Sequence, residues 1–169
     1  MEKRAIKLLD AHRLMTLATL RADGWPQATM VSYANEGLLL YFLISRSSQK
    51  MANILRDSRV AITVGRDYPD PNEIKGLSIA AIASEVTDGD QRERAWKLLL
   101  ERHPEFGAFA KPDLATAAIM RAACRMVTLI DYSKGFGHAD TITIAGADIV
   151  GMQPARPDNW GLAPAPVAA

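Results

Sequence analysis

The chain has 169 residues, of which 49% are hydrophobic and 23% charged, and a formal net charge of +1. This length and balance indicate one globular domain with its own core, while the near-neutral charge argues against a nucleic-acid-binding protein. The single cysteine, Cys124, excludes an intrachain disulfide and a cysteine-based metal cage, so we expect a reducing, cytoplasmic setting. The apolar runs are too short to cross a membrane as a helix, and the first 12 residues lack a signal-peptide core.

The first half of the chain indicates four strands and two helices. Apolar residues at helical spacing, separated by charges, predict an amphipathic helix over residues 2–12. Asp23-Gly24 and Gly37 mark tight turns between strands. The predicted strands are residues 14–20, 26–34, 38–44 and 59–65, and the second helix covers residues 47–56 with Ser47 as its N-cap.

The second half mixes strands with helical segments. A clear helix over residues 91–103 ends at Pro104. Cys124 opens a predicted strand and is expected to be a small buried residue. The other predicted elements are a strand over 77–86, a short helix over 114–121, a strand over 124–131 and a strand beginning at 141–144. We expect a single domain over residues 1–152, followed by a Pro- and Ala-rich tail over residues 153–169.

These elements predict a mainly β fold of the α+β class. Six or seven antiparallel strands occur without regular βαβ repeats, which argues against a doubly wound parallel sheet. A closed or partly closed barrel would remove the exposed strand edges that an open sheet leaves. We therefore expect a six- to seven-stranded antiparallel β-barrel with peripheral helices.

A candidate anion site follows the third predicted strand, which ends at Ser45. Arg46, Ser47, Ser48 and Lys50 come next, where a helix begins. The free backbone N–H groups and the dipole of a helix N-terminus favour negative charge. Lys50 alone opposes that dipole, but a phosphate bound between Arg46, Lys50 and the amides would reverse the sign. The alternative is a serine-capped surface helix whose cations are solvated.

Seven short pieces of sequence occur in a characteristic order. They are Met15-Thr16-Leu17-Ala18-Thr19, Asp23-Gly24-Trp25-Pro26, Thr29-Met30-Val31-Ser32-Tyr33, Leu40-Tyr41-Phe42, Ser45 to Ser48 with Lys50, Asn53-Ile54 and Arg59-Val60-Ala61. In this order the chain resembles the pyridoxamine 5′-phosphate oxidase-like family of FMN-binding split barrels. The resemblance implies a homodimeric split β-barrel of Greek-key character, with the cofactor FMN at the subunit interface.

The resemblance also implies which residues bind FMN. The strand residues Thr29, Met30, Val31 and Ser32 would line the flavin ring. The segment from Ser45 to Lys50 would hold the phosphate, chiefly through Arg46, Ser48 and Lys50 and less through Ser45 and Ser47. Thr29 stands where the family's namesake carries an arginine toward the phosphate, so phosphate binding is expected to depend more on Arg46.

Two features bear on the activity. The C-terminal region lacks the Arg-Leu-His-type motif with which the true oxidase binds its substrate, so that activity is not expected. No acid–base or metal-ligating set of residues is found, and no catalytic residue is predicted. The resemblance implies an FMN-dependent oxidoreductase that transfers hydride or electrons at flavin N5, to or from a nicotinamide cofactor or another small molecule. The alternatives are a non-catalytic flavin-binding, sensing or stress-related protein, and the same fold with a deazaflavin or haem-type cofactor.

Overall fold

The computed structural model describes residues 1–108, 111–146 and 148–154. These residues form three α-helices and eight β-strands, together with short 3₁₀ turns. The helices are α1 (Glu2–Ala11), α2 (Gln49–Arg56) and α3 (Gly89–Arg102). The strands are β1 (Leu14–Leu20), β2 (Pro26–Glu36), β3 (Leu39–Ser45), β4 (Arg59–Gly65), β5 (Lys75–Glu85), β6 (Ala117–Asp131), β7 (Ala139–Ala145) and β8 (Asp148–Gln153).

Six of the strands close into a barrel. The sheet order is β3-β2-β1-β4-β5-β6-β7-β8, and β3 also pairs with β6, which joins the ends of the first six strands. All the pairings are antiparallel. The order β3-β2-β1-β4 is that of a Greek key. Strands β7 and β8 continue the sheet outside the barrel, so the predicted split β-barrel is confirmed with one strand more than expected.

The core fills the barrel because strand residues alternate between its two faces. Strand β4 alternates buried and exposed residues along its whole length. A second cluster lies outside the barrel, where α3 packs on β3 and β6. Large side chains in the barrel core include Met15, Leu17, Tyr33, Phe42, Ile62, Leu77 and Ile79.

Helix α1 is held to the barrel by a buried tyrosine. The Tyr33 hydroxyl donates a hydrogen bond to the Leu9 carbonyl oxygen at 2.7 Å. Burial raises the pKa of Tyr33, so the hydroxyl keeps its proton and remains a donor.

No helix in the described part of the chain is long and apolar enough to cross a membrane.

Two local predictions are wrong. The short helix expected over residues 114–121 is replaced by a turn and the first half of β6. This half of β6 pairs with β3 from Ser45↔Ala117 to Leu39↔Ala123, and that long-range pairing overrides the helix propensity of an alanine-rich segment. The N-cap of α2 is Ser48, not Ser47, because the Ser48 side chain accepts the Met51 amide hydrogen.

Candidate functional site

A cavity of about 310 Å³ lies where β2 and β3 separate. The two strands pair from Tyr33↔Phe42 to Glu36↔Leu39, and beyond Tyr33 β2 continues along β1 whereas β3 continues along β6. The start of α2 borders this gap. The cavity is lined by Met30, Val31, Ser32, Leu43, Ile44, Ser45, Ser48, Lys50 and Phe106.

The cavity brings together six of the nine predicted cofactor-binding residues. Met30, Val31 and Ser32 come from the strand predicted to line a flavin ring, and the other three come from the predicted phosphate segment. Thr29, Arg46 and Ser47 are not among its lining residues. The six that line it are Met30, Val31, Ser32, Ser45, Ser48 and Lys50.

One end of the cavity is polar and carries the N-terminus of α2. The Ser48 hydroxyl accepts from the Met51 amide at 3.2 Å and donates to the Ser45 carbonyl oxygen at 2.7 Å. The Ser45 and Ser47 hydroxyls are 2.9 Å apart and share a hydrogen bond. The amides of Gln49 and Lys50 belong to the first turn, where the helix itself offers them no acceptor. The half-buried Lys50 therefore lies beside N–H groups that have no intrahelical acceptor in the described part of the chain, an arrangement that suits an anion.

Arg46 points to a different neighbourhood. Its Nη1 and Nη2 atoms donate to the two Glu85 carboxylate oxygens at 3.1 and 2.5 Å, and its Nε donates to the Leu114 carbonyl oxygen at 2.7 Å. The hydrogen bond that Arg46 donates to Glu85 raises the pKa of Arg46. The fork that a phosphate would need is thus already filled by a carboxylate, so Arg46 reaches an anion at Lys50 only by exchanging partners.

Thr29 does not line the cavity, and it lies on the same side of β2 as Val31 and Tyr33, which are both buried. Its Oγ1 atom is buried and has no hydrogen-bond partner among the described residues. A buried hydroxyl without a partner is costly and therefore uncommon in native structures. Within the described residues, the hydrogen-bonding capacity of this oxygen, which belongs to the residue before Met30, is unused.

Phe106 supplies an aromatic wall that sequence reasoning missed. It follows the C-terminus of α3, and its ring stacks on His103 with the centroids 5.0 Å apart. His103 is buried and its Nε2 donates to the Tyr33 carbonyl oxygen at 2.9 Å, which fixes the end of α3 against β2. Nothing local in the sequence around Pro104 indicates that Phe106 reaches β2 and β3, because the approach depends on how α3 packs.

The residues present fit a phosphate-bearing ring compound. The polar end offers Lys50, which has no ion-pair partner among the described residues, the hydroxyls of Ser45 and Ser48, and the first-turn amides of α2. The walls offer an exposed methionine, three aliphatic side chains and an aromatic ring. Ligand sites in proteins commonly combine apolar walls with a few convergent polar groups in this way.

Fold and cavity together define a split β-barrel protein with a ligand-sized cavity at a strand separation. The model of the family described as pyridoxamine 5′-phosphate oxidase matches residues 1–130. The chain belongs to this family. No curated protein matches the sequence.

Solved structures with the same fold bind different groups. A putative pyridoxamine 5′-phosphate oxidase from Listeria innocua is 21% identical, with a TM-score of 0.64 over 77% of this chain and 98% of that chain. A heme binding protein from Mycobacterium smegmatis is 23% identical, with a TM-score of 0.70 over 84% of this chain and 56% of that chain. An FAD-binding protein from Mesorhizobium loti is 23% identical, with a TM-score of 0.59 over 74% of this chain and 90% of that chain. At these identities the likeness shows the fold alone.

Proposed function

We propose that this protein binds FMN in the cavity between β2, β3 and α2 and acts as an FMN-dependent oxidoreductase. The observation that carries the proposal is the cavity itself, which gathers the strand Met30–Ser32 and the cationic N-terminus of α2 around one space. Lys50, the serine hydroxyls and the first-turn amides would hold the phosphate. Bound FMN would supply two-electron chemistry, taking a hydride at N5 from a reduced nicotinamide or another small donor.

The protein's own part in that chemistry is binding, orientation and exclusion of water. The residues from 29 to 32 would lie along one edge of the flavin ring, and Phe106 would supply an aromatic contact in the same cavity. A second copy of the chain would cover the open side, which gives a homodimer with FMN at the interface. The motivation is that Met30, at the rim of the cavity, is 69% exposed in the single chain.

Haem is disfavoured by the positions of the histidines. All three histidines of the chain lie within the described residues, and none lines the cavity. His12 and His103 bond the carbonyl oxygens of Leu8 and Tyr33, and His138 lies 3.2 Å from Asp140. A haem placed in this cavity would therefore lack the usual histidine ligand from the same chain.

The first test is the visible absorbance spectrum of the purified protein, followed by titration with FMN. A flavin spectrum, or saturable FMN binding, supports the proposal. A protein that neither carries nor binds FMN contradicts it, and a haem or deazaflavin spectrum would assign the cavity to that cofactor. Rapid reduction of the bound flavin by NADH or NADPH in stopped flow distinguishes an oxidoreductase from a protein that only stores or senses flavin.

The second test separates the two cations of the proposed phosphate site. Lys50→Ala should weaken FMN binding by about 1.5–3 kcal/mol, the usual contribution of a charge-assisted hydrogen bond. Arg46→Ala should act mainly through its lost contacts to Glu85 and Leu114, so it should lower the urea midpoint more than Lys50→Ala does. Lys97→Ala, on an exposed face of α3, is the matched control. An unchanged FMN affinity in the Arg46→Ala/Lys50→Ala double variant would rule out the phosphate site.

A further inference from the structure

A separate cavity of about 310 Å³ lies between helix α1 and the ends of β5 and β6. The proposed cofactor cavity is near the start of β6, where Ala117 pairs with Ser45. This other cavity is at the opposite end of β6, where Asp131 pairs with Lys75, the first residue of β5. We call it the α1 cavity. It shares no lining residue with the cofactor cavity, and Met30, which the proposed homodimer buries, does not line it.

The walls of the α1 cavity are largely apolar. Leu8 and Ala11 contribute from α1, and Leu129 and Ile130 contribute from β6. Ligand sites in proteins commonly have volumes of about 300–1,000 Å³ and mostly apolar linings with a few polar groups. The α1 cavity lies at the small end of that range, so its walls suit a short chain or a single ring.

The carboxylate that lines the α1 cavity is already engaged by the protein. Asp131 is 4% exposed, and its Oδ1 atom accepts a hydrogen bond from the Ser133 hydroxyl at 2.6 Å. Its Oδ2 atom forms an ion pair with the Arg4 guanidinium. Separating this pair would leave a buried carboxylate without its cation, which is strongly unfavourable. Asp131 and Arg4 therefore form a fixed pair in the wall of the cavity.

Two lysines of the α1 cavity have no such partner. Lys7 on α1 and Lys75 on β5 both line it, and neither forms an ion pair within the described part of the chain. Lys75 stands opposite Asp131 in the strand pair, yet no ion pair joins the two side chains. One explanation is that both ammonium groups are solvated while their stems cover apolar surface. The other is that the two cations hold an anion whose apolar part enters the cavity.

The surroundings of these lysines favour a ligand with one negative charge. A dianion such as a phosphate monoester would be repelled by the Asp131 carboxylate. It would also lie near the C-terminal end of α1, because Lys7 and Ala11 are in the second half of that helix and its dipole is negative there. Two ammonium groups match the two oxygens of a carboxylate, with a charge-assisted hydrogen bond to each.

We propose that the α1 cavity binds an organic monocarboxylate with an apolar body, its carboxylate between Lys7 and Lys75 and its body against Leu8 and Leu129. The inference goes beyond the proposed function, because it requires neither a flavin nor a redox step. Such a ligand would connect α1 to the barrel, since it contacts one lysine of the helix and one of β5. A ligand that binds only the folded chain also stabilises it, so binding should raise the melting temperature.

The test is isothermal titration calorimetry of the full-length chain with sodium octanoate, which should bind saturably with one molecule per chain. Lys7→Gln/Lys75→Gln removes two charge-assisted hydrogen bonds and should weaken octanoate binding at least tenfold. Ala11→Trp should fill the cavity and weaken binding to a similar extent, and the fold should accept it because Ala11 is exposed. Lys3→Gln, on the same helix but outside the cavity lining, is the matched control and should bind octanoate as the original chain does.

Two further probes separate the carboxylate from its apolar body. 1-Octanol has the same chain without the charge and should bind at least tenfold more weakly, and inorganic phosphate should not compete with octanoate. Loss of binding in the two cavity variants, with binding kept in Lys3→Gln, supports the inference. Absence of saturable octanoate binding, equal affinity in all variants, equal affinity for 1-octanol, or displacement by phosphate overturns it. A change in the sedimentation of Ala11→Trp without ligand would also overturn it, because the cavity would then be a contact between subunits.

Discussion

At the scale of single residues, the hydroxyl of Thr29 should lower the stability of the free protein, and it could form a hydrogen bond with a ligand. Its buried Oγ1 lacks a partner among the described residues, whereas the Thr128 hydroxyl, also half-buried on a strand, bonds the Thr141 hydroxyl at 2.8 Å. A buried hydroxyl without a partner is destabilising by about 1–3 kcal/mol. The two threonines should therefore respond in opposite ways to replacement by valine.

Thr29→Val should leave the free energy of unfolding unchanged or raise it by about 1 kcal/mol, because the methyl group needs no partner. Thr128→Val should lower it by about 1 kcal/mol, because it breaks an existing hydrogen bond. Urea denaturation without FMN measures both. If the Thr29 hydroxyl turns toward a bound phosphate, Thr29→Val will also weaken FMN binding. A clear loss of stability in Thr29→Val would show that the hydroxyl already has a partner.

Cys124 should be chemically silent while the protein is folded. It is 5% exposed on β6, and burial raises the pKa of its thiol to about 12. At pH 8 the reactive thiolate is therefore rare, and the sulfur is also hard to reach. A thiol reagent such as DTNB should react with one thiol per chain in denaturant and with almost none in native buffer. Rapid labelling of the native protein would contradict the burial of Cys124.

At the scale of elements, α2 is attached to the barrel by one buried amide. The Asn53 Nδ2 atom donates to Thr19 Oγ1 at 2.9 Å and to Gln27 Oε1 at 3.2 Å, on two neighbouring strands. The Gln49 side chain in turn donates to Asn53 Oδ1 at 2.9 Å. Because Asn53 lies one turn after Lys50, these bonds fix the direction in which the N-terminus of α2 points.

Asn53→Ala should lower the free energy of unfolding by about 2–3 kcal/mol, because it removes two hydrogen bonds and leaves a buried Thr19 hydroxyl without its donor. Gln49→Ala, which removes one bond at the surface, should cost less than about 1 kcal/mol. Both follow from urea denaturation. FMN affinity should fall in Asn53→Ala even at temperatures where the variant is fully folded. Equal stability of the two variants would mean that α2 is held by its apolar face alone.

The elements that local patterns define were predicted well from the sequence. Strands β1 and β4 have the predicted bounds. Along each of them buried residues alternate with more exposed ones, and this alternation can be recognised within the strand's own sequence. The error at residues 114–121 is of another kind. Alanine-rich segments suit a helix, and only the partner β3, more than 70 residues earlier in the chain, makes this one a strand. Strand β8 was missed because its hairpin with β7 exposes residues of both faces.

At the scale of the whole molecule, the site depends on closure of the barrel. Strand β6 pairs with β3, β5 and β7, and its pairing with β3 draws the end of β3 away from β2. The sequence could indicate the residues of the two strands that form the cavity, since each has its own local pattern. The gap between them, and Phe106 beside it, could not be predicted because they follow from long-range packing. The ion pair between Arg46 and Glu85 arises in the same way, because β6 pairs with both β3 and β5 and so brings the ends of these two strands together.

The proposed homodimer is the last expectation that belongs to the whole molecule. A chain of 18.4 kDa that pairs over the FMN cavity should sediment at twice that mass, with Met30 buried between the copies. Met30→Asp would place a charge in that contact, so it should raise the dissociation constant at least tenfold and weaken FMN binding with it. Val150→Asp is the matched control, since Val150 is 62% exposed on β8, away from the cavity. Sedimentation at several concentrations, with and without FMN, measures both, and FMN should stabilise the dimer if both copies contact it. A monomer at all concentrations, or a dimer that Val150→Asp disrupts and Met30→Asp does not, would place the second copy elsewhere.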